Sequence, residues 1–218
     1  PMPDGQYVRM AGSDLVIIAG EPFPVDADRE TWVEKQLFNV PNADLRDITV
    51  TDPAGVSYRL YRPTNGADLV IDGAYPTQQL KMAEANSVAS GLSYFRVDKV
   101  LSPADAASNT ALNTPYTYVA KLYNGQVFTL TVSPTNLPES YVRVAVTYDK
   151  NLAAPVDTNA TAGAVQKTPY EIEQEAKELN DKFAQWTFLL DNYKAGELRK
   201  PLHELLEPKP AETNTAPQ

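Results

Sequence analysis

The chain has 218 residues, a formal net charge of -9 and no cysteine. The acidity repels a phosphate backbone, which argues against nucleic acid as a partner. The absence of thiols excludes disulfides, thiolate nucleophiles and cysteine-ligated zinc or iron–sulfur centres. Apolar residues make up 43% of the chain, enough for a packed core, and no apolar run approaches the roughly 20 residues that span a bilayer. The opening PMPDGQ reads as the cut end of a longer protein, with any anchor lying before it.

In chain order, residues 7 to 19 read as two strands, YVRMA and DLVIIAG, broken at Gly12-Ser13 and ended by Pro22 and Pro24. Asp26 or Asp28 would cap a short helix over RETWVEKQLFNV, with Val33, Leu37 and Val40 on one face. Leu45 to Arg62 predicts a hairpin. Its turn is Asp52-Pro53-Ala54-Gly55, and Val56, Tyr58, Leu60 and Arg62 share one side of the return strand. ADLVIDG is a third strand. Thr77 would cap a second helix, QQLKMAEANSVASGLSYF, whose face is Leu80, Ala83, Ser87, Val88 and Leu92. Phe95 to Val100 reads as a short extended exit.

Residues 102 to 115 are small and polar and form the best internal linker. YTYVAKLYNGQVFTLTV follows as a hairpin with Asn124-Gly125 as a type I′ turn. YVRVAVTYD is a further strand, with Val142, Val144, Val146 and Tyr148 facing one way. The closing helix opens with a capping box, Thr168 and Glu171, with Pro169 at its first position. Ile172, Ala176, Leu179, Phe183, Trp186 and Leu190 continue as one apolar stripe.

The pattern predicts an α+β fold: mainly antiparallel sheet with three helices packed on it, in an order compatible with repeated strand–strand–helix units. Residues 1–6 read as a flexible start, 7–207 as a single domain whose place to divide into two lobes is near 102–115, and 208–218 as a disordered tail.

Chemistry is sparse. His203 is the only histidine and reads as a helix-surface residue, since a triad or a zinc site needs partners that a lone histidine lacks. No G-x-G-x-x-G, P-loop or G-x-S-x-G occurs. Asp26, Asp28 and Glu30 are close in sequence, as are Asp44 and Asp47, which leaves a glycosidase-like pair or an oxygen-only calcium site open, although the stretch DADRE lacks the glycine and spacing of a calcium loop and Asp26 and Asp28 read as helix-start residues. No catalytic residue, metal or cofactor is assigned.

Aromatic residues are the remaining candidates. Tyr58, Tyr61, Tyr75, Tyr94, Phe95, Tyr116, Tyr118 and Tyr123 are ordinary strand formers and also suit a carbohydrate or peptide surface. The ligand or partner surface assigned from them is Tyr58, Tyr61, Tyr118 and Tyr123, with Trp186 and Tyr193 beside the closing helix.

Several stretches together resemble a known family. YVRMAGSDLVIIAG, WVEKQLFNVPNADLRDITV, ASGLSYFRVDKV and LNDKFAQWTFLLDNYKAGELRKPLHELLE are similar, in that order, to segments of domain-of-unknown-function family 4340. Its members look like accessory proteins of gliding-motility-type ABC transporters in the bacterial envelope. The resemblance implies an N-terminal membrane anchor, a periplasmic or other extracytoplasmic location, and envelope membrane proteins such as transporter components as partners. It offers no catalytic residues. The reading is a non-enzymatic binding or assembly module of a cell-envelope complex. The alternatives are a carboxylate-dependent enzyme acting on envelope glycans, or a tyrosine-rich carbohydrate- or peptide-binding domain.

Overall fold

A computed structural model describes residues 6–9, 11–20, 32–106, 110–134, 139–152 and 167–209. The chain divides into two units, Pro1–Val33 and Glu34–Gln218. The division does not fall near residues 102–115, where part of the expected linker forms a short helix over Pro103–Ala106 with Ala106 buried.

The first unit holds a two-stranded antiparallel hairpin, β1 (Gln6–Arg9) and β2 (Val16–Ala19), in the register Tyr7↔Ile18 and Val8↔Ile17. Gly12 turns the chain with φ 79°, in the left-handed region that glycine adopts without a Cβ penalty. Leu15, Val16, Ile17 and Ile18 are all exposed, so this short strand presents apolar side chains on both of its faces.

The second unit begins with a correction. The first expected helix is a strand where it is described: β3 (Gln36–Phe38) pairs with β8 (Phe95–Arg96). Its capping candidates Asp26 and Asp28 lie outside the described residues. Leu37 and Val40 are buried as expected, but two buried positions three apart do not fix a period. Backbone partners do: Val97 N–H donates to the Lys35 carbonyl (2.8 Å) and Val40 N–H to that of Leu92 (3.1 Å). These long-range bonds replace the ladder of a helix.

The main sheet has eight strands in the order β6-β5-β4-β10-β11-β12-β13-β9, all neighbours antiparallel. The strands are β4 (Leu45–Thr51), β5 (Ser57–Tyr61), β6 (Val70–Ile71), β9 (Lys99–Leu101), β10 (Tyr116–Leu122), β11 (Gln126–Val132), β12 (Ser140–Tyr148) and β13 (Thr187–Leu190). Alternation sets its two faces. Ile48, Val50, Tyr58, Leu60, Tyr118, Ala120, Phe128, Leu130, Val142, Val144 and Val146 are buried on one side, while Thr49, Arg59, Val119, Thr129 and Ala145 stay partly exposed on the other. A separate pair, β7 (Gln78–Leu80) with β14 (Leu206–Pro208), takes the chain's later residues into a ladder. Lys209 N–H also bonds the Thr77 carbonyl, so the expected disordered tail has paired backbone at its first two residues.

The turn between β10 and β11 differs from the expected type I′. Gly125 has φ 95°, but Asn124 is not among the positive-φ residues, and Gly125 N–H donates to the Leu122 carbonyl (3.1 Å). This is a three-residue loop with glycine in the left-handed position. Asn124 contributes instead through Oδ1, which accepts from Gln126 N–H at 2.9 Å.

Five helices occur among the described residues, three of them 7 residues or more. They are α1 (Met82–Ala89), α2 (Pro103–Ala106), α3 (Pro169–Phe183), α4 (Asn192–Leu198) and α5 (Leu202–Leu205). The α+β class is therefore as expected. The repeated strand–strand–helix order is not seen, because the first helix of that scheme is β3.

The second expected helix is shorter than its pattern. Gln78–Leu80 is β7, α1 starts at Met82, and Phe95 belongs to β8. Its buried face is Ala85, Val88 and Ala89, followed by Leu92, while Ala83 is exposed. Gly91 follows in a 3-10 turn over Ser90–Leu92. A Cβ there would lie 2.8 Å from Leu198 Cδ2 and 3.4 Å from the Tyr118 hydroxyl, so this turn rests closely on α4 and the sheet, and a larger residue would require the buried Leu198 side chain to shift.

α3 has the predicted start. The Thr168 hydroxyl accepts from Glu171 N–H (3.3 Å) and the Glu171 carboxylate accepts from Thr168 N–H (2.7 Å). Those bonds from Thr168 hold the Glu171 carboxyl below the usual carboxylate range. The stripe does not run on to Leu190: α3 ends at Phe183, and Thr187–Leu190 becomes β13 between β12 and β9. β13 covers β12 only along Ser140–Val142. Beyond it α3 packs on β12, and Asn180 Oδ1 accepts from Val146 N–H at 3.1 Å, so the helix occupies the strand's edge.

Candidate functional site

Where the starts of β10 and β5 meet α5, an open cleft of about 400 Å³ is lined by Tyr58, Tyr75, Tyr116, Lys200, His203 and their neighbours. Each wall has a local cause. Asp52 Oδ1 accepts from Ala54 N–H and Val56 N–H, both at 2.9 Å, which closes the turn that leads into β5. Gly73, at φ 114°, lies under the Tyr75 ring, 3.3 Å from its nearest carbon when a Cβ is placed there. Pro201 separates α4 from α5 and turns the chain so that Lys200 and His203 both reach the cleft.

Tyr58 ties two walls together by donating its hydroxyl to the Lys200 carbonyl at 2.8 Å. Burial, and then the negative charge of Glu204, push its phenol above the usual range, so it remains a donor. Lys200 Nζ is paired with Glu84, and that bond holds the Glu84 carboxyl below the usual range. His203 is exposed on α5 and lines the opening. Asp52 is the only carboxylate among the lining residues, and one of its oxygens already serves the turn. This cleft therefore does not offer the two converging carboxylates that glycoside hydrolysis uses. Aromatic and aliphatic walls with hydroxyl and imidazole groups at the rim suit a sugar ring or a short peptide.

The six aromatic residues assigned from sequence do not form one surface. Tyr58 lines the cleft, but it is itself buried. Tyr118 is wholly buried and donates to the Val88 carbonyl (2.9 Å); it braces α1 against the sheet and faces no solvent. Its phenol is pushed far up by burial, then by Tyr58 and Glu197. Tyr61 stands beneath the Arg59 guanidinium, 4.8 Å from ring centroid to Cζ. The Tyr123 hydroxyl is buried without a hydrogen-bond partner among the described residues. Trp186 packs against the core in the turn after α3. Tyr193 is exposed at the start of α4, where Asp191 caps the helix. Alternation along β5 and β10 turns Tyr58 and Tyr118 inward, which strand composition does not reveal. Tyr75 and Tyr116, both partly buried, are the rims that matter here, and Lys200, Pro201 and His203 complete them. The proline between two leucine-bearing helical turns was the available signal for that corner.

The sequence profile of a family described as a domain of unknown function (DUF4340) matches residues 1–115. The chain belongs to the DUF4340 family. No curated protein and no solved structure matches it. The matched residues end just before β10, and so DUF4340 supplies β4, β5, β6 and β9 of the main sheet, while β10 to β13 come from the rest of the chain. Since β4 hydrogen-bonds β10 along its length, the DUF4340 match ends inside a continuous sheet. The closing stretch with Trp186 and the α4–α5 corner also lies beyond it.

Proposed function

We propose that this DUF4340 protein is a non-enzymatic binding or assembly module of a bacterial cell-envelope complex, the extracytoplasmic part of a membrane-anchored accessory protein of an ABC transporter. The observation that carries the reading is the β1–β2 hairpin. Ile17 and Ile18 point to opposite faces of one strand and are 55% and 60% exposed. A two-stranded hairpin is at best marginally stable in water and gains from a third strand. Its occupant in this reading is a strand of a membrane-protein partner, paired along an edge and covering the isoleucines.

The full-length protein extracted in mild detergent should then co-purify with membrane partners. Ile17→Asp together with Ile18→Asp should reduce the partner recovered by about tenfold or more, while circular dichroism of the Glu34–Gln218 unit stays unchanged. Clean recovery of the unsubstituted protein without partners would count against the proposal.

A second reading has its own observation. The cleft rimmed by Tyr58, Tyr75 and Tyr116 supports a carbohydrate- or peptide-binding role. Titration with a neutral sugar should move the NMR signals of the His203 ring, and Tyr75→Ala should weaken that binding by about tenfold. An unmoved His203 at saturating sugar would remove this reading.

A further inference from the structure

An asparagine followed by glycine is open to attack by its own backbone, because glycine places no side chain beside the attacking nitrogen. The pair occurs twice in this chain, at Asn65-Gly66 and at Asn124-Gly125. Both lie in turns between paired strands, β5–β6 and β10–β11, and both asparagines are exposed. Dipeptide and asparagine exposure therefore do not separate the two sites. Their hydrogen bonds do.

In the β10–β11 loop every reacting group is held. Gly125 is buried, and its N–H donates to the Leu122 carbonyl at 3.1 Å. Asn124 Nδ2 donates to Gln126 Oε1 (3.1 Å), and Asn124 Oδ1 accepts from Gln126 N–H (2.9 Å). The nitrogen that would attack and the amide it would attack are fixed to different neighbours, so ring closure must first break these bonds.

The β5–β6 turn leaves the same groups free. Ala67 N–H closes it on the Thr64 carbonyl (3.1 Å), Gly66 has φ 80°, and Asn65 is not among the positive-φ residues, which makes it a type II turn. The closing bond uses the nitrogen after Gly66. Gly66 N–H and the Asn65 amide therefore have no hydrogen-bond partner among the described residues. Gly66 is exposed, and a Cβ placed on it would meet nothing within 4 Å. The flanks are fixed instead: Arg62 Nη1 donates to the Ala67 carbonyl and Nη2 to Asn42 Oδ1 (2.6 Å).

We propose that Asn65 is a site of spontaneous deamidation through a cyclic imide, and that the fold shields Asn124 from the same reaction. Hydroxide takes the Gly66 amide proton, the nitrogen bonds to Asn65 Cγ, and the Cγ–Nδ2 bond breaks. Nδ2 takes a proton from water as it leaves as ammonia, which restores the hydroxide. Water then opens the imide. Cleavage of its Cγ–N bond gives aspartate, and cleavage of its backbone C–N bond gives isoaspartate. Either product adds one negative charge to a chain already at -9, at the β6 edge of the main sheet.

The test is incubation of the full chain in mildly alkaline, isotopically labelled water, with and without urea, followed by peptide mass spectrometry. In the folded chain Asn65 should convert about tenfold or more faster than Asn124, the factor expected from the bonds that Asn124 and Gly125 must break. The product at residue 65 should carry the label and divide between aspartate and isoaspartate. In urea the two sites should convert at similar rates, because both are then followed by an unrestrained glycine. Equal rates in the folded chain overturn the proposal. So does an Asn65 that converts only in urea, which would show that the turn protects it. A difference that persists in urea overturns it as well, since sequence neighbours and not the fold would then set the rates.

Discussion

Replacing Phe183 with alanine is expected to lower the stability of the Glu34–Gln218 unit by about 3–5 kcal/mol, the usual range for a wholly buried phenylalanine. Phe183 is the last residue of α3 and is 1% exposed. Its ring lies 5.9 Å from that of Phe38 on β3 and 6.1 Å from that of Phe188 on β13, the latter edge-on at 79°. Phe38 in turn stacks on Phe95 at 4.7 Å and touches Phe128. One ring thus joins the helix end to two strands on either side of it. Truncation removes apolar burial and leaves a cavity whose walls belong to three separate elements, which limits collapse. Urea unfolding of the two proteins measures the loss. Leu179→Ala, one turn earlier and only partly buried, should cost less than about 2 kcal/mol and serves as the comparison. A loss for Phe183→Ala no larger than that for Leu179→Ala would show that this contact does not anchor α3.

The second large effect is electrostatic. Glu197→Ala is expected to destabilise the same unit by about 3 kcal/mol. Lys194 Nζ donates to Glu197 Oε2 and to the Ser90 carbonyl, both at 2.8 Å, with side-chain exposures of 14% and 10% for the two charged residues. The pair joins α4 to the 3-10 turn after α1. Removing the carboxylate leaves a largely enclosed ammonium with one carbonyl. Lys194→Met with Glu197→Leu removes both charges and should recover most of the loss, because the penalty comes from the unmatched charge. Thermal or urea denaturation of Lys194→Met, of Glu197→Leu and of the double variant gives the coupling directly. Additive losses would mean that the two side chains act independently.

Parts of this fold can be read from local sequence. Thr168, Pro169 and Glu171 satisfy the first turn of α3 among themselves, so three residues suffice to announce the helix start. Alternation of Val142, Val144 and Val146 places β12 with one face inward, and Asn124-Gly125 marks the reversal between β10 and β11 even though the turn type differs. The end of α3 was not legible. Apolar spacing continues helically through Trp186 to Leu190, but Thr187–Leu190 gains backbone partners from Ser140–Val142 and Lys99–Leu101. β3 is similar, since its partners Phe95 and Arg96 lie far along the chain.

The cleft shows the same limit at the level of function. Tyr58 and Tyr118 look alike as strand tyrosines, yet one hydroxyl reaches the Lys200 carbonyl and the other the Val88 carbonyl, and both rings are used for packing. His203 gives no sign from its neighbours that it shares a wall with Tyr75 and Tyr116.

By itself the sequence determined the acidic, thiol-free character of the chain, the α+β class, the antiparallel hairpins and the start of α3. These depend on composition, on period-two alternation and on bonds between near neighbours. Only the tertiary structure decided where the helices stop, which tyrosines face inward, and how residues from four separate stretches line one cleft. Those outcomes depend on backbone and side-chain partners that are distant in sequence, where no local pattern competes with a ladder hydrogen bond or a buried contact.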